Sequence, residues 1–146
     1  MTTPTSDKVT TLILRRAFPA ARERVFRAWT EREALQQWFK PMGQALTIST
    51  LEMRVGGSFR FDLADGSDAI IGTYLEIVPP EKLVFTWSFA TTPGQESLVT
   101  VEFIERASVT EVILTHERLS SKEMRASLEA GWQSLLDQLA QALSTP

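Results

Sequence analysis

Five turn signals cut the stretch from Leu46 to Glu117 into short runs: Gly56-Gly57, Asp65-Gly66-Ser67, Pro79-Pro80-Glu81, Pro93-Gly94 and Ala107-Ser108. A parallel crossover needs about a dozen residues or more, so connections this short force antiparallel neighbours. Within the runs, apolar residues recur at every second position. Phe59, Phe61 and Leu63 alternate with Ser58, Arg60 and Asp62. Leu83, Phe85, Trp87 and Phe89 alternate with Val84, Thr86 and Ser88. Val99, Val101 and Phe103 follow the same rule, as do Val112, Leu114 and His116. The expectation is a meander of about six half-buried strands.

The flanks of this meander are helical. Val9 to about Phe18 reads as a first strand that Pro19 interrupts. Ala20 to Trp29 reads as a short helix with Val25, Phe26 and Trp29 on one face. Thr30 and Glu33 have the spacing of a capping box for a second short helix bearing Ala34, Leu35 and Trp38, ended by Lys40-Pro41-Met42-Gly43. Ser120 and Glu123 form a similar box before the clearest helix. There Met124, Leu128, Trp132, Leu135, Leu139, Ala142 and Leu143 recur at steps of three and four. At 1.5 Å per residue this last helix is roughly 30 Å long, enough to cross the sheet. Gly131 inside it costs about 1 kcal/mol relative to alanine, which suggests a close approach to something.

The predicted fold class is therefore α+β, with a curved antiparallel sheet in the order β-α-α-β6-α wrapped around a long C-terminal helix. Phe26, Trp29, Trp38 and Phe39 are the material available to plug one end. Residues 1–8 read as a flexible tail and 9–146 as a single domain.

Composition excludes several alternatives. Hydrophobic residues are 43% and charged residues 23%, which rules out a disordered chain. The net charge of −3 offers no basic surplus for nucleic acid. There is no cysteine, so disulfides, thiolate catalysis and cysteine-based metal sites are out. The polar start Met1–Asp7 has no apolar stretch of a secretory signal, and no run is long enough for membrane insertion, so a cytoplasmic protein is expected.

Several stretches resemble the Aha1-like branch of the SRPBCC (START/birch-pollen-allergen) superfamily. They are the segments Arg16–Thr30, Leu35–Pro41, Met53–Phe61, Gly72–Trp87 and Leu114–Glu117, and Gly131-Trp132 with Leu135 and Leu139. The resemblance covers about residues 9–143. It implies a helix-grip fold with a cavity between the long helix and the concave face of the sheet. Superfamily cavities commonly hold lipids, steroids, polyketides or other apolar molecules, and some branches are cyclases or hydrolases. The branch is named after a domain of the activator of the ninety-kilodalton heat-shock chaperone's ATPase, which makes a chaperone-modulating contact in a stress response an alternative reading.

The candidate site is an apolar cavity lined by Trp38, Phe61, Phe85, Trp87, His116, Met124, Leu128 and Trp132, with Met53 a further candidate lining residue. Such pockets are mostly apolar with a few placed polar groups. The expected partner is a small apolar or amphipathic molecule. His116, the only histidine, is the polar contact and the one weak catalytic candidate, as acid or base in a cyclase- or hydrolase-type enzyme. No motif asks for a cofactor. Asp62, Asp65 and Asp68 lack the ligand set of a calcium loop and read as a hairpin turn, and so does Arg54-Val55-Gly56-Gly57. No metal site is expected.

Overall fold

The computed structural model describes residues 10–144. The predicted tail at 1–8 and the predicted strand start at Val9 lie outside the described residues. The chain runs β1 (Leu12–Phe18), α1 (Arg22–Thr30), α2 (Arg32–Trp38), a 3-10 turn (Pro41–Gly43), β2 (Leu46–Leu51), β3 (Ser58–Leu63), β4 (Ala69–Val78), β5 (Lys82–Phe89), β6 (Ser97–Arg106), β7 (Val109–Glu117) and α3 (Lys122–Leu143). The six strands after Leu46 are the expected meander.

All seven strands form one antiparallel sheet in the order β1-β7-β6-β5-β4-β3-β2. The five predicted turns all fall between strands. Gly56 and Gly66 adopt φ of +85° and +75°, a region that suits glycine at tight turns. Gly57 and Gly72 serve a different need. A Cβ on Gly57 would strike the Glu52 carbonyl, and one on Gly72 would strike the Thr86 carbonyl and the Phe59 ring. The Asp65 turn consumes its own carboxylate, which accepts from Ser67 N–H at 2.9 Å and from its hydroxyl at 2.7 Å.

Alternation survives into the fold because a face, once set, needs no knowledge of the neighbouring strand. Ser97, Val99, Val101 and Phe103 of β6 are buried, as are Thr110, Val112, Leu114 and His116 of β7. Three strands depart from the alternation. β5 is buried on both faces from Leu83 to Ser88 instead of half-buried as expected. β2 shifts its register against β3 between Ile48 and Thr50, and β4 carries a bulge. Its pairing with β5 shifts between Tyr74 and Glu76, leaving Leu75 as an extra, exposed residue. The bulge returns Ile77 to the inner face opposite Leu83.

Two helix starts differ from expectation. Thr30 is the last residue of α1, and its hydroxyl turns back to the Phe26 carbonyl at 3.1 Å instead of capping α2. Glu31 occupies the α2 cap position without a side-chain bond. α3 is capped by Ser121, one residue later than the Ser120 box predicted, with its hydroxyl accepting from Met124 N–H at 3.0 Å.

α3 crosses the concave face but approaches most closely β1, α2 and the 3-10 turn. On the β1 side, Arg125 donates to the Thr11 carbonyl at 2.8 Å and Arg16 pairs with Asp137 at 2.6 Å. On the other side Gln138 donates to the Lys40 carbonyl at 3.1 Å. Phe26, Trp29, Trp38 and Phe39 are buried and close one end. Between α3 and the middle of the sheet stands an aromatic cluster, with Trp132 centred 5.1 Å from Trp87, 6.0 Å from Trp29 and 6.1 Å from Phe39.

Candidate functional site: a cavity beneath the long helix

The two halves of α3 are buried unequally. Met124 and Leu128 are only half-buried, whereas Trp132, Leu135, Leu136, Leu139 and Leu143 are buried. A cavity of about 190 Å³ lies under the middle of the helix, beside Leu128. Leu63, Ile70, Trp87 and Phe89 of β3, β4 and β5 form its floor. Ser127, Leu128, Gly131, Trp132 and Leu135 of α3 form its roof, and Pro41 closes one side.

Gly131 lies at the mouth. The sequence suggested that it permits a close approach, but a Cβ built on it meets nothing within 4 Å. What the glycine leaves free is open space on the cavity, so its cost of about 1 kcal/mol in helix propensity has no packing compensation.

Six of the eight predicted site residues separate into three groups, and Trp38 and His116 stand apart from all of them. Trp87, Leu128 and Trp132 line the cavity. Phe61, Phe85 and the other face of Trp87 surround a smaller inner space of about 20 Å³, together with Trp29, Phe39 and Tyr74. Met124 borders a recess of similar size beside Ser97 and Arg118. Trp38 lines none of these: its indole donates to the Ala28 carbonyl at 2.7 Å and its ring sits 4.9 Å from Trp29, in the plug. Met53 is half-buried against the core. A wider groove of about 610 Å³ involving Arg22, Lys82 and Glu105 is an open surface feature with charges of both signs.

His116 is fully buried and does not line the cavity, but it ties the cavity's two tryptophans together. Trp132 Nε1–H donates to His116 Nδ1 at 3.0 Å. Since Nδ1 accepts, the neutral ring holds its proton on Nε2, which lies 2.7 Å from Ser97 Oγ. The Ser97 hydroxyl in turn donates to the Trp87 carbonyl at 3.0 Å. Every donor in this chain has one acceptor, and the direction of the chain fixes the tautomer. Burial pushes the His116 pKa down from 6.5 to about 4. The Ser97–His116 distance is that of a nucleophile–base pair, yet Nε2 holds the proton that a base would need to accept. Here the histidine orients and braces.

Sequence reasoning missed Ser97. It stands two residues before Val99 on the inward face of β6, so periodicity alone could have placed it inside. Two buried indoles, Trp29 and Trp87, have no partner for their N–H. Among the described residues no three His, Cys, Asp or Glu side chains are grouped to hold a metal ion. None of the described helices is long and apolar enough to cross a membrane.

Comparison with known proteins agrees with this architecture. No curated protein matches the chain. Among solved structures, a Chromobacterium violaceum protein is 28% identical with a TM-score of 0.85, over 94% of this chain and 99% of that one. The AHSA1 protein of Silicibacter pomeroyi is 29% identical with a TM-score of 0.79, over 92% and 97% of the two chains. An uncharacterised Rhizobium leguminosarum protein is 26% identical with a TM-score of 0.77, over 93% and 95%. The profile described as "Activator of Hsp90 ATPase homolog 1-like protein" matches residues 19–144, most of the sequence and every element from α1 to α3. The chain belongs to the Activator of Hsp90 ATPase homolog 1-like family, with the helix-grip α+β fold its sequence predicts.

Proposed function

We propose that this protein is a non-enzymatic binder that holds a small apolar or amphipathic molecule between α3 and the sheet. The observation that supports this most is the cavity of about 190 Å³, walled by apolar side chains and bordered by a glycine that no packing contact requires. Protein interiors are close-packed, with few voids larger than a water molecule. An apolar space of this size suits an apolar guest.

Native mass spectrometry of the freshly purified protein, followed by organic extraction, tests the reading. A co-purifying small molecule is expected, or a rise in Tm with apolar compounds. A bare polypeptide mass with no thermal shift across an apolar panel would count against it. Leu128→Trp should fill the space from the helix side and abolish uptake while the Tm holds, because Leu128 is only half-buried. Collapse of the fold in that variant would mean the region is packed core, where overpacking typically costs about 1–3 kcal/mol.

A further inference from the structure

We infer that the molecule held under α3 is an acid, with its apolar body in the cavity and its carboxylate on Arg118 in the adjoining recess. This rests on the cavity-binding reading above and deepens it by naming the polar end of the ligand.

The two spaces follow one another along α3. The cavity lies under the stretch from Ser127 to Leu135, and the recess under the stretch from Ser120 to Leu128. Trp87, Phe89 and Leu128 line both. A molecule seated in the cavity and extending toward the start of α3 therefore comes to the recess past Leu128, which is only half-buried.

Their chemistry differs. The cavity has no charged side chain on its walls and a single hydroxyl, that of Ser127. The recess lies where the turn between β5 and β6 meets the link from β7 to α3, and it gathers Ser88, Thr92, Gln95, Ser97, Arg118 and Ser120. Among the described residues, Arg118 is the one charged residue lining either space. Apolar walls that lead to polar groups and one positive charge match an amphipathic anion.

Arg118 is also uncommitted. Arg16, Arg22, Arg106 and Arg125 each pair with a carboxylate. The exposed Arg118 makes no ion pair or hydrogen bond with any described residue, and neither Glu96 nor Glu117 on the adjoining segments engages it. Its backbone has φ of +64°, a conformation uncommon for a residue with a side chain and one that recurs at ligand clamps. The chain is pinned on both sides of it. Glu117 is opposite Leu98 in the β6–β7 register, while Leu119 is buried and its N–H donates to the Thr10 carbonyl at 3.0 Å. A free guanidinium on a fixed backbone spends less ordering entropy in gripping a ligand. Its planar fork matches a carboxylate with two parallel N–H bonds, which a neutral acceptor cannot equal.

Calorimetric titration of the full chain with octanoate against 1-octanol, and with 4-phenylbutanoate against 4-phenylbutan-1-ol, compares each acid with the alcohol of the same body. All four should bind. The ratio of dissociation constants (acid over alcohol) should rise about fivefold to tenfold in Arg118→Gln, with the Tm unchanged because the side chain is exposed and unpaired. Lys122→Gln, which removes an exposed charge lining neither space, should leave the ratio where it is. Added salt should weaken the acids and spare the alcohols. An unchanged ratio in Arg118→Gln, an equal rise in both variants, or alcohols that bind where acids do not would overturn the carboxylate contact and leave a cavity binder. Leu128→Trp should abolish binding of acids and alcohols alike. An acid that still binds that variant is held by Arg118 alone, which would overturn the shared site. If neither acids nor alcohols bind the wild type, the cavity-binding reading itself falls.

Discussion

Acidifying the protein from pH 7 to pH 5 should remove about 2 kcal/mol of folding stability, and His116→Phe should abolish that loss. The unfolded chain takes up a proton at His116 below 6.5, while the folded protein refuses it down to about 4. Stability is therefore fully present above pH 6.5. It falls by up to about 1.4 kcal/mol per pH unit below that, and levels off near pH 4 at a total of about 3 kcal/mol. The carboxylates held low in the fold titrate in a lower window. Glu52, stabilised first by the Ser58 backbone N–H, has an ordinary value of 4.5, and Asp65, stabilised first by the Ser67 hydroxyl, one of 3.8. Between pH 6.5 and 5 the histidine acts almost alone. His116→Phe removes the acceptor of Trp132 N–H and should start about 2 kcal/mol lower at pH 7. Its stability should then stay flat to pH 5, so that the two proteins converge. Urea midpoints at four or five pH values decide the matter, and parallel curves would mean that His116 already bears a proton in the fold.

Trp132→Ala should cost about 4 kcal/mol, a large share of the 5–15 kcal/mol typical of a domain. The side chain is 1% exposed and touches the rings of Trp29, Phe39 and Trp87, so its loss opens a hole at the centre of the aromatic cluster. Trp132→Phe separates shape from hydrogen bonding. It keeps most of the packing and leaves His116 Nδ1 without a donor, for a cost of about 2 kcal/mol. That freed lone pair can accept a proton, so the acid sensitivity between pH 6.5 and 5 should shrink in Trp132→Phe. A purely packing role for Trp132 would lower stability and leave the pH profile unmoved.

The parts of this molecule legible in the sequence are those set by local chemistry. Alternation put Phe85, Trp87 and His116 on inner faces, because a strand's own pleat decides this. The turn residues divided the meander correctly because glycine and proline act over two or three positions. Partnership across strands was another matter. Ser97 lies opposite Trp87 in the β5–β6 register, and Val99 opposite His116 in the β6–β7 register. Only those two registers together bring the serine to the imidazole. Trp38 shows the same limit. Its apolar helix face was readable, but the fold of α2 against α1 delivers its indole to Ala28 rather than to a ligand space. Volume was the least legible quantity, since a leucine over a void and a leucine over a packed core have the same spacing. Gly131 was noticed for its helix cost, yet the space beside it proved empty instead of crowded.

The one-way donor chain from Trp132 through His116 to Ser97 has a consequence for isotope exchange. Deuterium can reach the Trp132 indole nitrogen or the His116 Nε2 only when water enters the centre of the domain. Loop fraying and breathing at the cavity mouth do not expose those atoms, because both residues are almost wholly buried. Their side-chain protons should persist in heavy water about as long as the slowest backbone amides of β6 and β7, and so time the opening of the whole domain. The two nitrogens are a built-in clock for global unfolding, readable without any label on the backbone.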